Sequence, residues 1–143
     1  MQSDTVRLLT ECNKGIKMGE DAIKKVLPKA KDKRLREALE ITKNTHAALG
    51  DETHERLLEE GGTTKDAPSV ARVMSNMRIA AKMTVSPTDG AIADLMTDGC
   101  DMGIKSLTKY LNRYKYADSN ARALAKKIIA SEEYLESRMR EFL

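Results

Sequence analysis

The stretch "GIKMGEDAIKKVL", Gly15 to Leu27, returns as "GCDMGIKSLTKYL", Gly99 to Leu111. Gly15/Gly99, Met18/Met102, Gly19/Gly103, Lys25/Lys109 and Leu27/Leu111 coincide at one constant offset. Apolar spacing alone recurs in any two amphipathic helices. The paired Gly-x-x-Met-Gly is harder to produce by chance, because a glycine inside a helix is about 1 kcal/mol worse than alanine. Small residues there are read as places where helices approach closely. The segments that follow also match in their inward positions: Leu35/Ala121, Leu39/Ala125, Thr42/Ile128, His46/Glu132 and Leu49/Leu135. The repeated unit is therefore a helical hairpin, used twice.

Periodicity and punctuation predict five helices and no strand. The first covers 3–27, capped by Ser3 with Asp4 in its first turn, and Pro28 ends it. Its inward stripe is Leu9, Cys12, Ile16, Gly19, Ile23 and Val26. The second covers 32–60, with Leu35, Leu39, Thr42, His46, Leu49 and Thr53 inward and Gly61 and Gly62 as its stop. The third, 67–84, is given Asp66 as cap, Pro68 in its first turn and one face of Val70, Met74, Met77, Ala81 and Thr84, and packs outside the bundle as the crossover. The fourth, 87–114, is given Ser86 as cap and Pro87 at its first position, with Ala93, Met96, Cys100, Gly103, Leu107 and Tyr110 inward. The fifth, 118–142, turns Ala121, Ala125, Ile128, Glu132, Leu135, Met139 and Phe142 inward.

Two such hairpins bury their stripes best against each other, as an all-α four-helix bundle. A chain of 143 residues makes one domain: hairpin 1 over 3–60, crossover over 61–86 and hairpin 2 over 87–143. At about 1.5 Å per residue the long helices span roughly 40 Å, so the crossover must run the length of the bundle. One long crossover in an up-down bundle is the ferritin-like topology.

The whole chain resembles a ferritin-like superfamily member. In particular, "NKGIKMGEDAIKKVL" and "DGCDMGIKSLTKYL" are similar to the first and fourth helices of small bacterial ferritin-like bundles of unknown function. The di-iron members of that superfamily carry one Glu on each of two helices and Glu-x-x-His on each of the other two. Counting outward from turns centred near Lys31 and Tyr116 puts Ile16, His46, Cys100 and Glu132 in one central layer. Ile16 and Cys100 then stand in place of the single Glu residues. His46 and Glu132 take the place of the motif Glu residues, and Leu49 and Leu135 that of the motif His residues. One carboxylate of the set remains, which argues against ferroxidase chemistry. "DETH", Asp51 to His54, is an Asp-x-x-His near the end of the second helix with no counterpart in the fifth.

The favoured reading of the layer is a His46–Glu132 pair in the core, with no metal or other cofactor. The alternative is a single zinc or iron held by His46, Cys100 and Glu132, a donor set that suits zinc with one position left to water. Cys12 is read as a small core hydrophobe, and Met18, Met74, Met77 and Met102 as packing filler. Glu133, Glu136, Arg138 and Arg140 are read as a solvated face. Tyr110, Tyr114 and Tyr116 form either a cluster capping the fourth helix or a dimer patch.

Bulk composition narrows the function. Basic residues number 25 and acidic ones 22, interleaved along the chain, and aromatics are 3%. Neither phosphate neutralisation nor base stacking has concentrated residues, so no nucleic-acid partner is expected. No apolar run reaches the roughly 20 residues of a membrane span, and no secretory signal is visible, so a cytoplasmic protein with reduced thiols is expected. No Ser-His-Asp set, P-loop or Cys-x-x-Cys is present. The expected function is a non-enzymatic, self-associating binding or structural module, a dimer being the simplest form. A degenerate metalloprotein with one central metal is the alternative.

Overall fold

The computed structural model describes residues 2–64 and 68–143. Among them are five α helices and no strand: α1 (Asp4–Val26), α2 (Lys33–Glu59), α3 (Val70–Val85), α4 (Asp89–Arg113) and α5 (Ser119–Met139). Short 3₁₀ turns, Leu27–Lys29 and Arg140–Phe142, extend α1 and α5.

Local chemistry sets the helix ends. The Ser3 hydroxyl accepts from Val6 N at 3.2 Å and starts α1. Asp32 Oδ1 accepts from Arg34 N at 2.8 Å and from Leu35 N, starting α2. α2 stops in a Schellman arrangement: Gly62 N donates to Leu57 O and Gly61 N to Leu58 O, with Gly61 at φ +78°. Asp118 caps α5 through Ala121 N. Two caps differ from the sequence expectation. Thr88, not Ser86, accepts from Ala91 N, so Pro87 lies outside α4. Ser69 caps α3 through Arg72 N and Pro68 precedes the helix, while Asp66 is outside the described residues.

Four long helices stand side by side. α1 runs along α2, α4 along α5, α2 packs on α5 and α1 on both α4 and α5, while α3 lies across α1 and α4. Matching contacts lock the two ends. Asp89, the first residue of α4, accepts from Lys31 N at 2.8 Å and Asp32 N at 2.9 Å in the α1–α2 turn. At the other end Asp4, the first residue of α1, accepts from Tyr116 N at 3.1 Å, and Thr5 Oγ1 from Asp118 N at 2.9 Å, both in the α4–α5 turn. The first turn of each hairpin thus holds the loop of the other.

These contacts fix the directions. The α1–α2 turn lies beside the start of α4, and the α4–α5 turn beside the start of α1. The two turns are therefore at opposite ends, and the connection through α3 runs from one end to the other. Spin labels at Lys31 and Tyr116 should lie about 35–40 Å apart by dipolar spectroscopy, the length of the helices between them. A separation below roughly 20 Å would place both turns at one end and contradict the arrangement.

The inward stripes of α1, α2, α4 and α5 are buried as their spacing requires, except that Gly19, Gly103, Tyr110 and Phe142 are half-buried. α3 is the exception. Val70, Met74, Met77, Ala81 and Thr84, which form one face, all lie in solvent. Its inner side instead carries Ile79 and Met83, with Arg72 and Asn76 both bonded to Asp21 of α1. The filler role fails for Met74, Met77 and Met102, which are exposed, while Met18 is half-buried. Among the described residues the buried methionines are Met83, Met96 and Met139.

Candidate functional site

The apolar core is divided in two. One cluster holds Ile23, Leu35, Leu39, Ile92, Met96 and Met139, toward the α1–α2 turn. The other holds Leu9, Ile16, Leu49, Leu124 and Ile128, toward the α4–α5 turn. Between them lie the buried polar side chains His46 of α2 and Glu132 of α5.

His46 Nε2 stands 3.0 Å from Glu132 Oε1. The approach is close enough for an ion pair but lies off the direction of a straight hydrogen bond. Neither ring nitrogen of His46 completes one among the described residues. The two side chains face each other in a closed core, so the contact distance governs their interaction.

Glycines make the room. A Cβ on Gly19 would sit 3.2 Å from His46 Cε1, and one on Gly103 would sit 3.6 Å from the Glu132 carboxyl. The close approach read from the sequence is thus made by side chains at Gly19 and Gly103. It is absent at Gly15 and Gly99, where an added Cβ meets nothing within 4 Å. The level of the layer also shifts by about one turn. Gly19 faces His46, whereas Ile16 reaches Gly50, where an added Cβ would meet it at 3.4 Å.

Cys100 does reach Glu132. Burial, with the neighbouring Glu132 charge and its hydrogen bond adding, pushes the Cys100 thiol far up. Burial likewise pushes the Cys12 thiol up to about 12. Both thiols stay protonated at neutral pH, and a protonated thiol is a poor nucleophile. Cys12, fully buried, is the core hydrophobe its position on α1 implies.

Glu136, one turn beyond Glu132, is buried rather than part of a solvated face. Its Oε1 accepts from Arg140, and its Oε2 completes no hydrogen bond among the described residues. The neighbouring Asp101 carboxyl of α4, then burial, hold Glu136 above the usual carboxylate range, against the pull of Arg140. The folded chain therefore binds a proton at Glu136 more tightly than the unfolded chain. The stabilisation is fully present below the ordinary carboxylate pKa and is lost as pH rises through the raised one. Glu136→Gln should flatten this part of the stability–pH profile, read from urea midpoints. An unchanged slope would mean that protonation of Glu136 contributes nothing.

The donor set does not fit a di-iron centre. Ile16, Leu49 and Leu135 are buried apolar residues where ligands would be needed. No three His, Cys, Asp or Glu side chains among the described residues are gathered to hold a metal ion. His54 of the "DETH" segment is exposed, and its Nδ1 lies 2.7 Å from Thr64 Oγ1. Tyr110 and Tyr114 stack at 5.9 Å against the second core cluster, while Tyr116 is exposed. No described helix is long and apolar enough to cross a membrane.

The Gly19/Gly103 signal was present in the sequence. What it missed was the pairing of each glycine with a side chain on the neighbouring helix, and the part played by Glu136 and Asp101. No protein-family model, curated protein or solved structure matches the chain.

Proposed function

We propose that the chain is a ferritin-like four-helix bundle built from a duplicated hairpin, and that it works as a non-enzymatic structural or binding module through self-association. The end-to-end connection through α3 and the reciprocal Asp4 and Asp89 contacts support the bundle and its duplication. The layer of His46 and Glu132, flanked by Ile16, Leu49 and Leu135, supports a centre without ligand chemistry.

The observation that carries self-association is α3, which buries Ile79 and Met83 but leaves a second apolar face, Val70, Met74, Met77 and Ala81, in solvent. Exposed apolar area of that kind marks interaction surfaces. Sedimentation velocity over a concentration series tests it. A species of twice the chain mass or more is expected, and a monomer throughout the micromolar range overturns the reading.

A second reading, a protein with one central metal, has one observation in its favour: the two ring nitrogens of His46 complete no hydrogen bond among the described residues. Against it stand the apolar residues around the layer, Ile16, Leu49 and Leu135.

A further inference from the structure

We infer that the partner on α3 is a second copy of this chain, docked as an antiparallel α3–α3 pair about a two-fold axis near Met77. The inference rests on the self-association reading above and adds its interface. Val70, Met74, Met77, Ala81 and Val85 follow the 3–4 spacing of one helical face. Val70 is 77% exposed, Met74 62%, Met77 67% and Val85 84%. Core-forming residues rarely remain that open on a side chain with nothing to meet.

The stripe is complementary to itself when reversed. Turned end for end about its midpoint, Val70 meets Val85 of the other copy, and Met74 meets Ala81. A long flexible side chain then faces a small one, the alternation that lets two surfaces interdigitate. Met77 falls beside the axis. An isologous contact of this kind closes on itself and gives a dimer rather than a filament.

Charge permits the approach. α3 carries basic residues beside the stripe, and two of them are already neutralised within the chain. Arg78 pairs with Asp98 of α4 at 3.1 Å, and Arg72 with Asp21 of α1. Lys82 is the third basic residue of α3 and has no acidic residue beside it on that helix, so the approach is favoured at raised salt. With Val73 added, the apolar patch is on the order of 500–600 Å² per chain, at the top of the range for a monomer surface. That is short of the roughly 800 Å² per partner of a standard interface, so a dimer of moderate affinity is expected.

The experiment combines two variants of the full chain. Met74→Glu with Met77→Glu places carboxylates in the apolar seam. It should yield a monomer in sedimentation velocity with helical circular dichroism unchanged, because both side chains are exposed in the single chain. Met77→Cys should cross-link between copies with a short bismaleimide, while Lys126→Cys on α5 should not; the native Cys12 and Cys100 are buried. If the wild type is a monomer, both the self-association reading and this interface fail. If the wild type is a dimer that survives the double substitution, and Met77→Cys gives no cross-link, self-association stands and the α3 interface is overturned.

Discussion

His46→Ala is expected to lose on the order of 3–5 kcal/mol of folding stability, because it leaves the Glu132 carboxyl in a closed core without its partner. For a chain of this size the melting midpoint should fall by roughly 10–15 °C. His46 is fully buried and Glu132 is 8% exposed, so water does little to replace the lost contact. Replacing both residues with leucine should bring stability back close to that of the wild type, since well-packed apolar residues often replace a buried pair without loss. His54→Ala is the control: His54 is exposed and should change stability by no more than about 0.5 kcal/mol. Thermal melts of the four proteins decide it. A double variant as unstable as His46→Ala would mean that the layer is held by something other than the pair.

Gly19→Leu is the second large effect, and its control is Gly15→Leu on the same helix. An added Cβ on Gly19 already meets His46 Cε1 at 3.2 Å, so a leucine must displace the imidazole from Glu132. Overpacking of this kind costs about 1–3 kcal/mol, and here the buried contact is lost as well. Gly15 has open space around the same position, so its replacement should stabilise by up to about 1 kcal/mol through helix propensity. Urea unfolding of the two variants should therefore give shifts of opposite sign. Equal shifts would show that Gly19 does not make room for His46.

Four of the five helices were legible because each buries its apolar stripe, so periodicity alone tells which face is inside. α3 shows where that logic stops. Its Val70–Met74–Met77–Ala81 stripe is as regular as the others, but periodicity reports which face is apolar and is silent on whether the protein's own core covers it. The inner side of α3 combines two buried apolar residues, Ile79 and Met83, with Arg72 and Asn76 on Asp21, and no spacing rule singles the latter out from surface charges. The His46–Glu132 pairing was legible from matched hairpin positions. Its depth was misjudged by a turn, because the 3₁₀ turn Leu27–Lys29 carries the chain past the end of α1 before α2 begins. "SPTDG" offered two hydroxyl caps, and Thr88 prevails over Ser86 because Asp89 then reaches the Lys31 and Asp32 amides, a contact more than 50 residues away in sequence. Glu136 was read as solvated because its neighbour Asp101 comes from the other side of a hairpin, which a single-helix stripe does not reveal.

The claim on which the account turns is that the layer of His46 and Glu132 is a structural contact and not a metal centre. Its most direct test is a titration of the untagged protein with iron(II), under nitrogen and in air, and with zinc(II), following bound metal per chain and the melting midpoint together. The account predicts no saturable binding of either metal, no protein-dependent iron oxidation and an unmoved midpoint. Saturation near one or two metals per chain, with a raised midpoint that His46→Ala and Glu132→Ala each abolish, would contradict it.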